Sequence, residues 1–220
     1  MELENSTQER EKEMTTIKNV IAEVQVEIFK EAMKKKKYRF FDSNLSYNLN
    51  IVGIRKKNNL SNDFDDNISV IYRNDDRRWE VFTAAATTDP GKTSLFKPLN
   101  RKGTAILVPG QYRGSHKIDL HAGKYMALRQ SGAEVKVWRD DNKDNILDMD
   151  DSNIEEGFFG INIHRASRRG ETKFVNSYSA GCQVFQNISD FYEFMNLCEI
   201  SASRFGNQFT YTLLEEEDLL

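Results

Sequence analysis

The strongest constraint on how this chain can fold is a procession of short runs rich in β-branched and aromatic residues. They are "NLNIVGIR" (48–55), "ISVIYR" (68–73), "RWEVFTAAATT" (78–88), "TAILVPGQY" (104–112), "EVKVWRD" (134–140), "FFGINIHR" (158–165) and "FTYTLL" (209–214). Clusters of Asn, Asp, Gly and Lys separate them. Such runs suit a pleated, half-buried surface, and the polar clusters supply turns. The pattern predicts a β-dominated α+β domain over residues 38–220, a sandwich or partly open barrel. Two helical patterns interrupt it, at about 123–130 and 189–204. In the second, Phe191, Phe194, Met195, Cys198 and Ala202 fall on or near one face, and Gly206 is the expected stop.

Residues 1–37 read as a separate helical extension. Met14, Ile17, Ile21, Val24 and Ile28 recur at spacings of 3, 4, 3 and 4, a stripe about two heptads long. Lys34 to Lys37 close it, which suits the negative end of a helix dipole. The stripe is expected to pack on the domain or to pair with its own copy, so self-association is one partner expectation. The four lysines offer an anionic surface or polymer as the alternative.

The totals exclude several classes. A formal net charge of −3 leaves no global basic field for nucleic acid. No stretch of 18 apolar residues is present, so no membrane span is expected. The opening "MELENSTQEREKEM" lacks the basic-then-apolar order of a signal peptide, which predicts synthesis in a cytoplasm. Two cysteines cannot build a disulfide framework.

Chemistry concentrates in "GINIHRASRRGETKFVNSYSAGCQVF" (160–185), which holds one of three histidines and one of two cysteines. Thiol catalysis needs a thiolate, an imidazole to take its proton, and donors for an oxyanion. Cys182 follows Gly181, where a missing Cβ lets substrate and backbone approach. Amides at Gly181 and Cys182 are candidate oxyanion donors. His164, ending a strand-like run, is the candidate base. Arg165, Arg168 and Arg169 add positive potential, favouring a thiolate and attracting carboxylates. The competing reading makes Cys182 an inert packing thiol. Cys198, at helical spacing from Phe191 and Phe194, reads as core.

Two metal readings stand beside this one. His116, Asp119, His121 and His164 could be imagined around zinc, although a helical His-x-x-x-His is absent. In "DDNKDNILDMDD" (140–151), Asp140, Asn142, Asp144, Ile146, Asp148 and Asp151 fall at positions 1, 3, 5, 7, 9 and 12 of a calcium-loop pattern. Asn145 stands where that loop has glycine, and Asp151 where it has Glu. A solvated turn between strands is the alternative to a structural Ca2+. "TTDPGKT" (87–93) lacks the upstream glycine of a phosphate loop.

The order His164, a loop, then Ser179-x-Gly181-Cys182 resembles the catalytic domain of L,D-transpeptidases, also called the YkuD domain. "FTAAATTDPG" (82–91) and "GTAILVPGQY" (103–112) resemble the segments leading to that family's active site, in a variant like those of tailed bacteriophages. The chain departs in having Ala180 where the family commonly has His, and Val184 where it commonly has Arg. The resemblance implies an L,D-transpeptidase-like fold for 38–220. It also implies a Cys182 thioester formed with stem peptides of bacterial peptidoglycan, with His164 as base and Ser179 orienting the loop. His121 and Tyr112 would lie on the substrate side. No cofactor would be required. The product would act at the cell wall after lysis or as part of a phage particle. A non-catalytic cell-wall-binding or virion-associated protein on the same scaffold is the alternative, and Val184 is its main support.

Overall fold

The computed structural model describes the backbone of residues 2–220 and the side chains from residue 13 onward. Eight strands close into a barrel. Around it run β1 (Asn50–Arg55), β11 (Phe209–Glu215), β5 (Gly110–His121), β6 (Tyr125–Gln130), β9 (Ile163–Arg165), β10 (Gln183–Phe185), β3 (Trp79–Thr87) and β2 (Asp66–Arg73). Neighbours are antiparallel except β1 with β11 and β9 with β10, which are parallel. Beside the barrel lies a three-stranded sheet in the order β4 (Thr104–Leu107), β7 (Val135–Asp140), β8 (Glu155–Gly157). The β-dominated α+β class expected from the runs is the one observed.

Alternation along the strands sorts two apolar layers. Ile51, Ile68, Val70 and Leu213 join the main core, while their neighbours Val52, Ile71 and Leu214 belong to a second cluster. At Gly53 a Cβ would stand 1.8 Å from the Tyr211 Oη, so the bare backbone makes room for that phenol. Helix α3 (Ile188–Phe205) adds Phe191, Phe194, Met195, Leu197 and Cys198 to the main core. Its start is capped by the Asn187 side chain, which accepts from the Ser189 N–H, and Gly206 ends it at φ 88°. Both ends and the Cys198 assignment match the expectation.

Helix α1 (Glu2–Lys35) is one continuous element, and a short helix α2 (Lys92–Phe96) precedes β4. The face of α1 that meets the barrel is not the expected stripe. Val26, Phe29, Ala32 and Met33 pack on Val52, Ile71, Trp79 and Leu214. Met14, Ile17, Ile21, Val24 and Ile28 remain 43–67% exposed.

Residues 123–130, expected as a short helix, are instead strand β6. Ala122 and Gly123 take φ values of 50° and 67°, the pair of positive angles that a type I′ turn requires. The Lys124 N–H then bonds the His121 carbonyl at 3.0 Å and returns the chain beside β5. The run "TAILVPGQY" is two strands, because Val108 and Pro109 carry the chain from the small sheet into the barrel. Among the described residues no helix is long and apolar enough to cross a membrane.

Candidate active site

The two parallel strands β9 and β10 position the thiol and the imidazole. Val184 pairs with His164 and Gln183 with Ile163, so Cys182 falls beside Asn162. With a side-chain period of two, Cys182 and His164 lie on the same side of the pair as diagonal neighbours.

His164 is held in one tautomer. Its Nδ1 lies 2.8 Å from the Arg165 carbonyl, which can only accept, so Nδ1 carries the proton and Nε2 is the basic nitrogen. The Tyr125 hydroxyl stands 3.4 Å from the same Nδ1. The His121 ring stacks on His164 at 4.2 Å between centroids. Burial, then the neighbouring His121, push the His164 pKa down to about 3. The imidazole is therefore neutral near pH 7 and able to accept a proton.

Cys182 is half-buried and its thiol donates to the Gly160 carbonyl at 3.4 Å. Burial pushes the thiol pKa up to about 11. The resting pair is thus neutral thiol and neutral imidazole, not an ion pair. Ser179 braces the turn: its Oγ donates to the Cys182 carbonyl at 2.8 Å and accepts from the Gly181 N–H at 3.2 Å. Of the two expected oxyanion amides, Gly181 is therefore already engaged. The Cys182 N–H, with no bond among the described residues, is the one left to face a developing charge. Gly181 itself is fixed by geometry: φ is 115°, and a Cβ would lie 2.4 Å from the Ala105 carbonyl oxygen.

A buried polar network beneath this turn escaped sequence reasoning. Gln183 donates through Nε2 to the carbonyls of Gly181 (3.2 Å) and Thr88 (3.3 Å), and its Oε1 accepts from the Tyr211 hydroxyl at 2.8 Å. Arg55 meets the Asp89 carboxylate at 2.9 Å and also donates to Thr88 and to the Leu107 carbonyl. Asp66 accepts from the Thr88 N–H and hydroxyl at 2.7 and 2.8 Å. Burial pushes the Asp89 carboxyl up, against the opposing pull of Arg55. The only sequence signal was a polar residue inside an apolar run, at Gln183; Arg55 ends its run and is followed by Lys56 and Lys57.

In front of the thiol opens a cleft of about 450 Å3, lined among others by Cys182, His121, Asn162, Gly160, Arg139 and Phe158. It runs between the thiol loop and the small sheet. Arg139 is tied to Glu155 at 2.8 Å and lies over the Phe159 ring. Asn162 and His121 join at 3.3 Å.

Other expected site residues fall elsewhere. Arg165 is buried with its guanidinium 4.0 Å over the Tyr125 ring, so it lends charge to the histidines instead of presenting a surface. Arg168 and Arg169 are exposed and do not line the cleft. Tyr112 is buried, its hydroxyl donating to the Val108 carbonyl at 2.5 Å, far from the substrate role expected of it. His116 has both ring nitrogens engaged, by Ser115 Oγ and by the Ile161 carbonyl, each at 2.8 Å. Asp119 pairs with Arg129 at 2.6 Å.

The acidic loop is a chain of local turns. Asn142 accepts from the Asp144 N–H, Asp144 from the Ile146 N–H, Asp140 from the Asp148 N–H, and Asp151 from the Trp138 indole N–H. Among the described residues no three His, Cys, Asp or Glu side chains converge to hold a metal. Comparison with protein-family models, with curated proteins and with solved structures found no match.

Proposed function

We propose that the chain is a cysteine-dependent, peptidoglycan-modifying enzyme that attacks stem-peptide amide bonds through a Cys182 thioester, on an L,D-transpeptidase-like scaffold. The observation that carries this reading is the His164 tautomer: Nδ1 is committed to the Arg165 carbonyl, and the basic Nε2 belongs to a ring diagonal to the thiol.

The step follows from the neutral pair. As the sulfur attacks the amide carbonyl, its proton passes to His164 Nε2, so no free thiolate need accumulate. The oxyanion forms against the Cys182 N–H. His164 then returns the proton to the departing amine, and the thioester is resolved by water or by an amine. Ser179 and Gln183 hold the loop while charge moves. In a phage-encoded protein water is the more useful acceptor, because lysis or entry needs cuts.

One observation favours a second reading, a non-catalytic wall-binding protein. Val184 is fully buried against Phe64, Ala166 and Val175, so no guanidinium reaches the cleft from the position where the resembled family carries arginine. Digestion of purified sacculi, with Cys182→Ala in parallel, separates the two. The enzyme releases new or exchanged muropeptides that Cys182→Ala does not. A binding module pelleting unchanged walls with both proteins would overturn the catalytic reading.

A further inference from the structure

Helix α1 carries two apolar stripes. At about 100° per residue, Val26, Phe29 and Met33 cluster on the side that meets the barrel, and the stripe from Met14 to Ile28 is turned from them by roughly 130°, with Val24 and Ile28 bordering a groove beside Leu219 and Leu220. Val20, 54% exposed, widens that second stripe. The helix has 34 residues, about 50 Å of length. From residue 13 to 21 only Asn19 is partly covered. A helix so exposed gains little from propensity alone and needs tertiary or quaternary packing.

We propose that this stripe is the seam of a parallel, three-stranded coiled coil formed with the same helix of two further copies of the chain. The spacing assigns Met14, Ile21 and Ile28 to position a, and Ile17 and Val24 to position d. Four of these five residues are β-branched, and isoleucine at both a and d shifts the preference from two strands to three or four, of which three is the smaller assembly. Val20 at g broadens the apolar face, as a seam shared with two neighbours needs. Charge sets the orientation. In a parallel, in-register coil a g residue meets e of the following heptad on its neighbour, which brings Glu13 to Lys18. An antiparallel coil sets g against g, where Glu13 and Glu27 repel. Lys18 lies 3.3 Å from Glu80 of its own chain with its side chain 73% exposed, so it can also be reached from a neighbouring helix. The barrel packs on the b, e and f side of each helix through Phe29, Ala32, Val26 and Met33, which leaves the a, d and g residues uncovered by it.

The test is the solution mass of the full chain by analytical ultracentrifugation. The wild type is expected at three chains, and Ile17→Lys with Ile21→Lys at one, with the barrel's unfolding transition unchanged because neither residue touches it. Lys18→Glu is expected to weaken assembly about tenfold, and adding Glu13→Lys to restore it. A wild-type monomer at about 100 µM, or a lysine variant that keeps its mass, overturns the interface. A two-chain or four-chain mass overturns the strand count, and a charge exchange that fails to restore assembly overturns the parallel register. None of these readouts depends on the activity of the cleft.

Discussion

His116 on β5 and His164 on β9 are the same residue in equally dry surroundings, and they differ by one nitrogen. In His116 both ring nitrogens are bonded, to Ser115 and to the Ile161 carbonyl. In His164 only Nδ1 is committed, to the Arg165 carbonyl with the Tyr125 hydroxyl nearby. Burial drives both away from the protonated state, to about 4 and about 3. The first ring has no capacity left and joins strands. The second keeps a basic lone pair. Hidden histidines are thus told apart by what remains unspent on the ring, not by depth.

The largest effect should break the comparison if it is wrong. Replacing His164 with Ala is expected to lower kcat for sacculus digestion about 1,000-fold, leaving KM nearly unchanged. His116→Ala should leave the rate per folded molecule within a few-fold and cost about 2–3 kcal/mol in urea denaturation, from lost hydrogen bonds and a cavity. A rate collapse in a folded His116 variant would erase the distinction.

The next effect sharpens what the two rings share. In the unfolded chain each histidine titrates near 6.5, while in the fold each stays neutral down to about 4 or 3. Below pH 6.5 the unfolded state therefore binds protons that the folded state refuses, and stability falls as pH falls. Between pH 7 and pH 5 each ring should cost about 2 kcal/mol, read as a shift of the urea midpoint. The smallest effect concerns the arginines near His164. Arg168→Ala with Arg169→Ala should change the digestion rate less than about twofold, because exposed charges outside the cleft are screened.

The β-dominated class and most strands were legible because alternating strands write their period into sequence, while closure into a barrel was left open beside a sandwich. Strand β6 was not: Met126, Ala127 and Leu128 favour helix in isolation, and only pairing with β5 and β9 on its two edges overrides that. Strand β10, three residues long, is too short to show a period. The heptad stripe of α1 was visible, but so was the Val26, Phe29, Met33 stripe, and spacing alone does not say which one meets the barrel. At the site, Cys182, His164, Ser179 and Gly181 lie within one segment and were found together. Gln183, Arg55 and Thr88 were missed because only the closing of the barrel joins them. The calcium-loop spacing at 140–151 admits either an ion site or a solvated turn; in the fold Asn142, Asp144 and Asp140 accept from loop amides and Asp151 from the Trp138 indole.

Gly181 rests on the Ala105 carbonyl of β4, with no room for a methyl group between them. The loop bearing the sulfur is therefore seated on the opposite bank of the cleft as a key sits on its ward. Any distortion of β4 reaches the nucleophile without passing through a substrate contact. Changes in that bank should then register as altered turnover before they register as altered grip.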